Sequence, residues 1–292
     1  MGIFADWPYA PRYIQVYDSF IHYVEDGSGE PLLFLHGNPT WSYQWRNVMP
    51  HLAPYGRCIA MDLAGMGRSG KPGIDYTFLN HARYVEGFID ALGLENITLV
   101  LHDWGGALGL YWALHHPGRA RALALLGNSP LSMGWQIIGS WEAAPHVFHR
   151  YRAPVLGWHL VGDHNYFIER TLRHSVLRGL TEEEMGFYRE PYPTVASRKP
   201  LQRWNTQVPI AGDPPEMVPV VEAIKTYYET LTLPKLLIHG SGSRGGTPPW
   251  IEWSKKNIPN TETCNLGQVG HYMTEDKPDD IGQAIATWFR RL

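Results

Sequence analysis

The segment Leu99-Val100-Leu101-His102-Asp103-Trp104-Gly105-Gly106 decides the predicted fold. Its first residues are solidly apolar, which is typical of a strand that is covered on both faces of a sheet. The glycines at its end open a helical pattern that runs over Gly105–His115. A sharp turn from a strand into a helix exposes the side chain at its apex, and small residues after the apex let the helix pack closely. Asp103 occupies that apex.

Short apolar or β-branched runs alternate with helical patterns on both sides of this segment. The predicted strands are Tyr13–Tyr17, Phe20–Val24, Pro31–His36, Arg57–Asp62, Asn96–His102, Ala122–Leu126, Lys235–His239 and Glu262–Leu266. Predicted helices outside the middle of the chain are Leu79–Leu92, Gly105–His115 and Pro278–Leu292. This alternation predicts an α/β protein with a mostly parallel central sheet that is flanked by helices.

Residues 131–213 interrupt the alternation with a helix-rich insertion. The spacing predicts one helix over Ile168–Arg178, and residues 181–184 form a capping box that opens another. We therefore expect a core domain made of residues 1–130 and 214–292, with residues 131–213 as a helical cap. Open α/β sheets bind ligands at the carboxyl ends of their strands, and we expect the cap to cover that edge.

Composition excludes several classes of function. The 292 residues include 25 basic and 28 acidic side chains, a net charge of −3, which disfavours nucleic acid and anionic membranes as partners. Two cysteines, Cys58 and Cys264, are too few for a disulfide framework and fit a cytoplasmic location. The sequence contains no Gly-rich nucleotide motif and no metal-ligand spacing, so we expect neither a cofactor nor a metal.

Three predicted strand ends carry residues suited to covalent hydrolysis. Asp103 is a competent nucleophile toward saturated carbon, although an Asp before a helix is often only an N-cap. His271 lies in a Gly-rich loop between the last predicted strand and the last helix, where it can serve as a general base. Asn38 follows His36-Gly37 at the end of a third strand. In a turn of this kind, the backbone N–H groups of Asn38 and Trp104 can form an oxyanion hole.

Taken together, these segments resemble the α/β-hydrolase superfamily, and more closely the haloalkane dehalogenases. The resemblance runs from about Asp18 through the final helix. Its strongest matches are His36-Gly37-Asn38-Pro39-Thr40, residues 57–72, His102-Asp103-Trp104-Gly105-Gly106, and Gly270-His271-Tyr272 with Glu275 and Asp276.

The resemblance implies an α/β-hydrolase fold with an inserted helical cap and a hydrolysis that needs no cofactor. It implies Asp103 as the nucleophile, His271 as the base, and Asn38 with Trp104 as the pair that binds the halide. The expected partners are a small halogenated organic substrate, water and the halide product. Donors placed at the leaving halide stabilise the transition state more than the neutral substrate, because negative charge grows there.

The sequence departs from the family where a carboxylate should hold the base histidine. One expected place follows the strand that ends at Leu126, but Gly127 and Asn128 stand there. The other is the turn after Lys235–His239, where Ser243 replaces an Asp. Asn128 is the nearest polar substitute, and it carries no charge. Alkylation of Asp103 requires no base, so we expect fast alkylation, slow hydrolysis and an accumulated alkyl-enzyme.

Other functions remain open from the sequence alone. An epoxide hydrolase would share the nucleophile and base and would use two cap tyrosines, for which the candidates are Tyr151, Tyr166, Tyr188 and Tyr192. A hydrolase-fold binding protein without turnover would fit the missing acid. A luciferase-like oxygenase, which is built on a similar scaffold, is a further alternative. The sequence does not specify the substrate's chain length, its halogen, the enantiopreference or the oligomeric state.

Overall fold

A computed structural model describes residues 2–127, 139, 142, 145–241 and 248–292, without the side chains of 248–250. Eight strands form one sheet in the order β1-β2-β4-β3-β5-β6-β7-β8. Their bounds are β1 Arg12–Val16, β2 Ser19–Asp26, β3 Pro31–Leu35, β4 Arg57–Met61, β5 Ile97–His102, β6 Ala120–Leu126, β7 Lys235–Ser241 and β8 Thr261–Gln268. All eight predicted strands are confirmed, with small shifts at their ends.

The sheet is mostly parallel, as predicted. β1 pairs antiparallel with β2, and β2 pairs antiparallel with β4, whereas every pair from β4 through β3, β5, β6 and β7 to β8 is parallel. Parallel strands place their carboxyl ends at one edge, so the chain that follows β3, β5 and β8 meets there. The three segments singled out in the sequence follow those three strands.

Helices cover both faces of the sheet. Their bounds are α1 Phe78–Ala91, α2 Trp104–His115, α3 His146–Arg152, α4 Pro154–Trp158, α5 Glu182–Arg189, α6 Lys199–Asn205, α7 Met217–Thr230, α8 Pro248–Asn257, α9 Met273–Asp276 and α10 Pro278–Phe289. No helix among these described residues is long and apolar enough to cross a membrane.

Strand β5 shows how the alternation of side chains builds two cores. Leu99 and Leu101 pack in the cluster that contains α1, α2 and α7, whereas Val100 packs in the cluster that contains α10. All six residues of β5 are buried, which explains its uninterrupted apolar sequence. On α10, Ile281, Ile285 and other buried residues follow the predicted stripe, and the helix ends at Phe289, not at Leu292.

The part of the insertion at residues 145–213 is largely helical, and its helix α6 contacts Asn38 and Trp104 at the carboxyl edge of the sheet. The predicted capping box is confirmed at the start of α5, where the Thr181 side chain accepts a hydrogen bond from the N–H of Glu184. The helix predicted over Ile168–Arg178 is wrong in extent, because the helical backbone ends at His174. Arg178 lies beyond it and binds α9 instead, with its N–H on the Asp276 carboxylate and its Nε on the carbonyl oxygen of Glu275. The predicted boundary at residues 128–130 lies outside the described residues.

Close packing of α2 against β3 depends on Gly105. A Cβ at this position would lie 2.2 Å from the carbonyl oxygen of Leu35. Gly186 in α5 offers a contrast, because a Cβ there would meet no atom within 4 Å. The close contact between α2 and β3 therefore requires a glycine at position 105, whereas nothing around Gly186 requires one.

We predict that Gly105→Ala lowers the free energy of unfolding by about 1–3 kcal/mol or more, because backbone must move to admit the methyl group. Gly186→Ala should raise it by about 0.5–1 kcal/mol, the usual gain in an exposed helix interior. Urea unfolding of both variants beside the parent chain measures the difference. Equal stabilities for the two variants would show that α2 does not need the glycine.

Candidate active site

Asp103 lies at the strained turn between β5 and α2. Its backbone φ is 52° and ψ is −130°, a conformation that costs a non-glycine residue about 1–3 kcal/mol. Although Asp103 is the N-cap of α2, its side chain makes no capping hydrogen bond. Its Oδ1 instead accepts a hydrogen bond of 2.8 Å from the backbone N–H of Asn38, and Oδ2 lies 3.2 Å from Nε2 of His271. The turn therefore aims the carboxylate at two other loops.

The surroundings of Asp103 favour its ionised form. Burial raises the pKa of this carboxyl, but the hydrogen bond and charge of His271, with the N–H of Asn38, outweigh burial. The net result is a pKa below the usual 3.8 of an aspartate. A side chain that is 21% exposed thus stays a carboxylate at neutral pH.

The loop after β3 reaches Asp103 because of a glycine and a neutral histidine. A Cβ on Gly37 would lie 2.1 Å from Oδ1 of Asp103, so no larger residue fits there. Burial lowers the pKa of His36, which leaves its ring neutral. The His36 ring donates from Nδ1 to the carbonyl oxygen of Gly37 and accepts the N–H of Leu63 at Nε2, each at 2.9 Å. This pair of bonds holds the loop in place.

Asn38 is held at three points. Its backbone N–H donates to Asp103, its Nδ2 donates to the carbonyl oxygen of Leu201 at 3.1 Å, and its own carbonyl oxygen accepts the hydroxyl of Tyr272 at 2.9 Å. An amide nitrogen carries two donors, and the second N–H of Nδ2 has no partner among the described residues. That N–H is a donor that a bound anion can use.

Trp104 belongs to a stack of three rings. It is 8% exposed, and its indole stacks on Trp204 of α6 with ring centroids 4.5 Å apart. The ring of His81 in α1 also stacks on Trp204, with ring centroids 4.2 Å apart. Burial lowers the pKa of His81 to about 3, so this ring is neutral. Helix α6 therefore supports both Asn38, through Leu201, and Trp104, through Trp204.

His271 contacts Asp103 from the loop after β8. Its carbonyl oxygen accepts a hydrogen bond of 2.9 Å from Nε2 of His102. Burial, with a smaller contribution from His271, lowers the pKa of His102 to about 4, so the His102 ring is a neutral donor. In the described part of the chain, the structure pairs His271 with no carboxylate except Asp103.

The two places expected for an acid are only partly described. Gly127 follows β6 with a φ of +65°, and a Cβ there would meet the terminal methyl of Met273 at 2.9 Å. Asn128 and Ser243 lie outside the described residues, so the suggested partner of His271 stays a prediction. Within the described residues, no three His, Cys, Asp or Glu side chains are grouped so that they could hold a metal.

The structure thus brings Asp103, His271, Asn38 and Trp104 to one edge of the sheet. Sequence reasoning missed the residues that support them, which are His36, His102, Leu201, Trp204 and the hydroxyl of Tyr272. A signal for three of these existed, because His36, His102 and Tyr272 lie within the motifs that contain the site residues. Leu201 and Trp204 belong to the insertion, and the sequence does not indicate which residues of the insertion face the core.

Comparison with known proteins agrees with this geometry. Residues 30–278 match a family model described as the alpha/beta hydrolase fold. A haloalkane dehalogenase from Mesorhizobium japonicum is 42% identical over 94% of this chain and 89% of the relative. The crystal structure of haloalkane dehalogenase DbeA from Bradyrhizobium elkani is 39% identical, with a TM-score of 0.91 over 97% of this chain and 98% of that one. The crystal structure of an ancestral haloalkane dehalogenase is 40% identical, with a TM-score of 0.89 over 96% of this chain and 98% of that one.

We predict that His81 makes the protein sensitive to acid. The unfolded chain protonates this residue near its ordinary pKa of 6.5, whereas the folded state keeps it neutral until about pH 3. Stability is therefore lost as pH falls through this window, by up to about 1.4 kcal/mol per pH unit. His81→Leu should gain stability relative to the parent by that amount per unit between about pH 6 and pH 4. Urea unfolding at several pH values measures the difference, and a difference that is independent of pH would contradict the buried neutral ring.

Proposed function

The chain belongs to the haloalkane dehalogenase family of the α/β-hydrolase superfamily, and we propose that it hydrolyses carbon–halogen bonds through an ester on Asp103. The observation that supports this most strongly is the direction of the Asp103 carboxylate. It makes no capping hydrogen bond to α2 and lies between the Asn38 N–H and His271 Nε2. A structural N-cap has no reason to make those two contacts.

The first step of the proposed reaction is displacement at saturated carbon. A carboxylate oxygen of Asp103 forms a bond to the carbon, the carbon–halogen bond breaks, and the electron pair leaves with the halide. The side-chain amide of Asn38 and the indole N–H of Trp104 donate to the departing halide. Since negative charge grows on the halogen only as the bond breaks, these donors favour the transition state.

The second step is hydrolysis of the ester. His271 takes a proton at Nε2 from a water molecule, whose oxygen attacks the carbonyl carbon of the ester. The backbone N–H groups of Asn38 and Trp104 stabilise the oxyanion that forms. The intermediate collapses, the alcohol leaves with the proton from His271, and the Asp103 carboxyl ionises again. The sum is a haloalkane and water giving an alcohol, a halide and a proton.

Hydrolysis is the slow step in this proposal, because neither expected place for a triad acid carries a carboxylate. Asn128 would accept a hydrogen bond from the imidazole through its amide oxygen, without stabilising the imidazolium charge. In a serine protease, an amide in place of the triad aspartate costs about 10⁴ in kcat. Alkylation does not use the base, so the two steps should differ widely in rate.

The other functions considered for this sequence find less support. Epoxide opening needs tyrosine hydroxyls at the nucleophile, and two of the four candidates are engaged elsewhere, since the hydroxyl of Tyr188 donates to Glu275 and that of Tyr151 bonds to Thr171. Three relatives that align over 94–96% of this chain are haloalkane dehalogenases. We therefore retain dehalogenation as the proposed function.

Three further features belong to the proposal. Residues 131–213 act as a cap, because α6 contacts both Asn38 and Trp104 from above the sheet edge. The substrate is a small halogenated organic molecule that needs no cofactor besides water. The free thiols of Cys58 and Cys264 fit a reducing cytoplasm.

Mixing the protein with a bromoalkane in a rapid-quench instrument should give a burst of bromide close to one equivalent, followed by a slow linear phase. The burst reports alkylation of Asp103 and the linear phase reports its hydrolysis. Asp103→Ala should release no bromide. A single linear phase at an ordinary rate would contradict the slow second step.

An Asn128→Asp variant provides the matched test of the missing acid. A charged partner for His271 should speed the linear phase by about tenfold or more, with the burst unchanged. An unchanged linear phase would show that another group already supports the imidazole.

The burst rate should be constant between about pH 8 and pH 5. The reason is the pKa of Asp103, which lies below 3.8 because contacts with His271 and Asn38 outweigh burial. Rapid-quench measurements across this range test the prediction. A burst rate that falls with a midpoint above pH 5 would mean that burial dominates and that Asp103 is protonated near neutrality.

A further inference from the structure

A buried group of charges includes Glu275, four residues after His271, and the proposed mechanism does not use it. This charge cluster consists of Arg46, Arg178, Glu184 and Glu275, with the hydroxyl of Tyr188. The side chains of Arg46, Glu184 and Glu275 are 1%, 3% and 0% exposed. Two guanidinium and two carboxylate groups balance in charge, which is the condition for keeping ions out of water.

Arg46 has every donor of its guanidinium engaged. Nη1 and Nη2 form a bidentate pair with Glu275 at 2.6 and 2.9 Å, and Nη2 also reaches Glu184 at 2.9 Å. Nε donates to the carbonyl oxygen of Phe4 at 2.7 Å, and Nη1 also donates to that of Tyr43 at 3.3 Å. Five donors in a rigid fork fix the position of each acceptor.

Glu275 is the acceptor on which the cluster converges. Besides Arg46, its carboxylate accepts hydrogen bonds from Nη2 of Arg178 at 2.7 Å and from the hydroxyl of Tyr188. Arg178 also binds Glu184 in a bidentate pair at 2.6 and 3.0 Å. A carboxylate with four donors has little freedom to move, and the backbone of α9 is held with it.

The charge cluster joins three parts of the chain that build the site. Arg46 lies just beyond the loop that carries Asn38, whereas Arg178, Glu184 and Tyr188 belong to the helical insertion. Glu275 lies in α9, four residues after His271.

A second set of bonds closes the loop that carries His271. Arg178 donates from Nε to the carbonyl oxygen of Glu275 and from its backbone N–H to Oδ1 of Asp276 at 3.0 Å. Oδ2 of Asp276 accepts the N–H of Gly270 at 2.6 Å. The loop is therefore tied directly before His271, at Gly270, and again at Asp276, the last residue of α9.

We propose that Glu275 is a positioning residue for His271, and that through it the insertion controls the hydrolysis of the ester. This inference rests on the proposed function for its kinetic part. Neither place expected for the triad acid carries a carboxylate. The position of the His271 imidazole therefore depends on the contacts that hold the backbone around it. Asp103 lies in the turn between β5 and α2, and Trp104 begins α2. Both are outside the charge cluster, so alkylation should depend less on Glu275 than hydrolysis does.

The test is Glu275→Gln, which keeps the shape of the side chain and removes its charge. We expect the bromide burst to stay within about twofold of the parent rate, since the nucleophile is unchanged. The slow phase should fall by about tenfold or more. Glu169→Gln is the matched control, because Glu169 forms a bidentate pair with Arg189 in the same insertion but outside the charge cluster. It should change neither phase.

A stable Glu275→Gln protein with both phases unchanged would overturn the proposal, as would a control with the same defect. If Glu275→Gln fails to fold, Arg178→Gln decides, because this guanidinium is 24% exposed and its loss is better tolerated. Arg178→Lys should then recover part of the slow phase, since a lysine can still bind the two carboxylates. An Arg178→Gln protein with an unchanged slow phase would equally overturn the proposal.

Nuclear magnetic resonance of ¹⁵N-histidine-labelled protein supplies a readout without substrate. In Glu275→Gln, the signals of the His271 ring should shift or broaden, and their pH titration should change, whereas the signals of His81 should not move. A merely structural role would leave the titration of His271 as it is. If the parent protein gives neither a burst nor an alkyl adduct, the proposed function fails, and the spectra still decide whether Glu275 positions His271.

Discussion

The site depends on a carboxylate held in a strained turn and kept ionised by its neighbours. Asp103 adopts a positive φ, and its side chain makes no capping hydrogen bond to its own helix. The approach of Gly37 and the bond from the N–H of Asn38 take the place of that cap. The strained backbone conformation costs about 1–3 kcal/mol, and it persists only where many surrounding contacts hold it in place. Gly105, which lets α2 lie against β3, supplies part of that constraint.

Much of the fold could be predicted because its signals are local. Eight strands follow from short apolar runs, and α5 follows from the capping box that begins at Thr181. Helix α7 was missed, although its buried residues Met217, Val221, Ile224 and Tyr228 have helical spacing. The helix predicted over Ile168–Arg178 ends early because Arg178 binds α9, a contact between distant segments that no local pattern contains.

The reactive residues of the candidate site could be predicted where they directly follow the end of a strand. Asp103, Asn38 and His271 meet because parallel strands end at one edge of the sheet, and the alternation of elements already implied that edge. The residues that hold the site in place come from distant parts of the sequence. Examples are the hydrogen bond from Asn38 to Leu201 and the stacking of Trp104 on Trp204. These contacts depend on how the insertion packs against the core, and no local pattern in a single sequence predicts that packing.

The central claim is that Asp103 forms a covalent ester, and an isotope experiment tests it most directly. A single turnover in H₂¹⁸O, with enzyme in excess over a bromoalkane, separates the two origins of the product oxygen. Attack of water on the ester carbonyl predicts an alcohol that contains ¹⁶O from the carboxylate. It also predicts one ¹⁸O in the peptide that contains Asp103. An alcohol that carries ¹⁸O, with no label in that peptide, would show direct displacement by water and would contradict the covalent account.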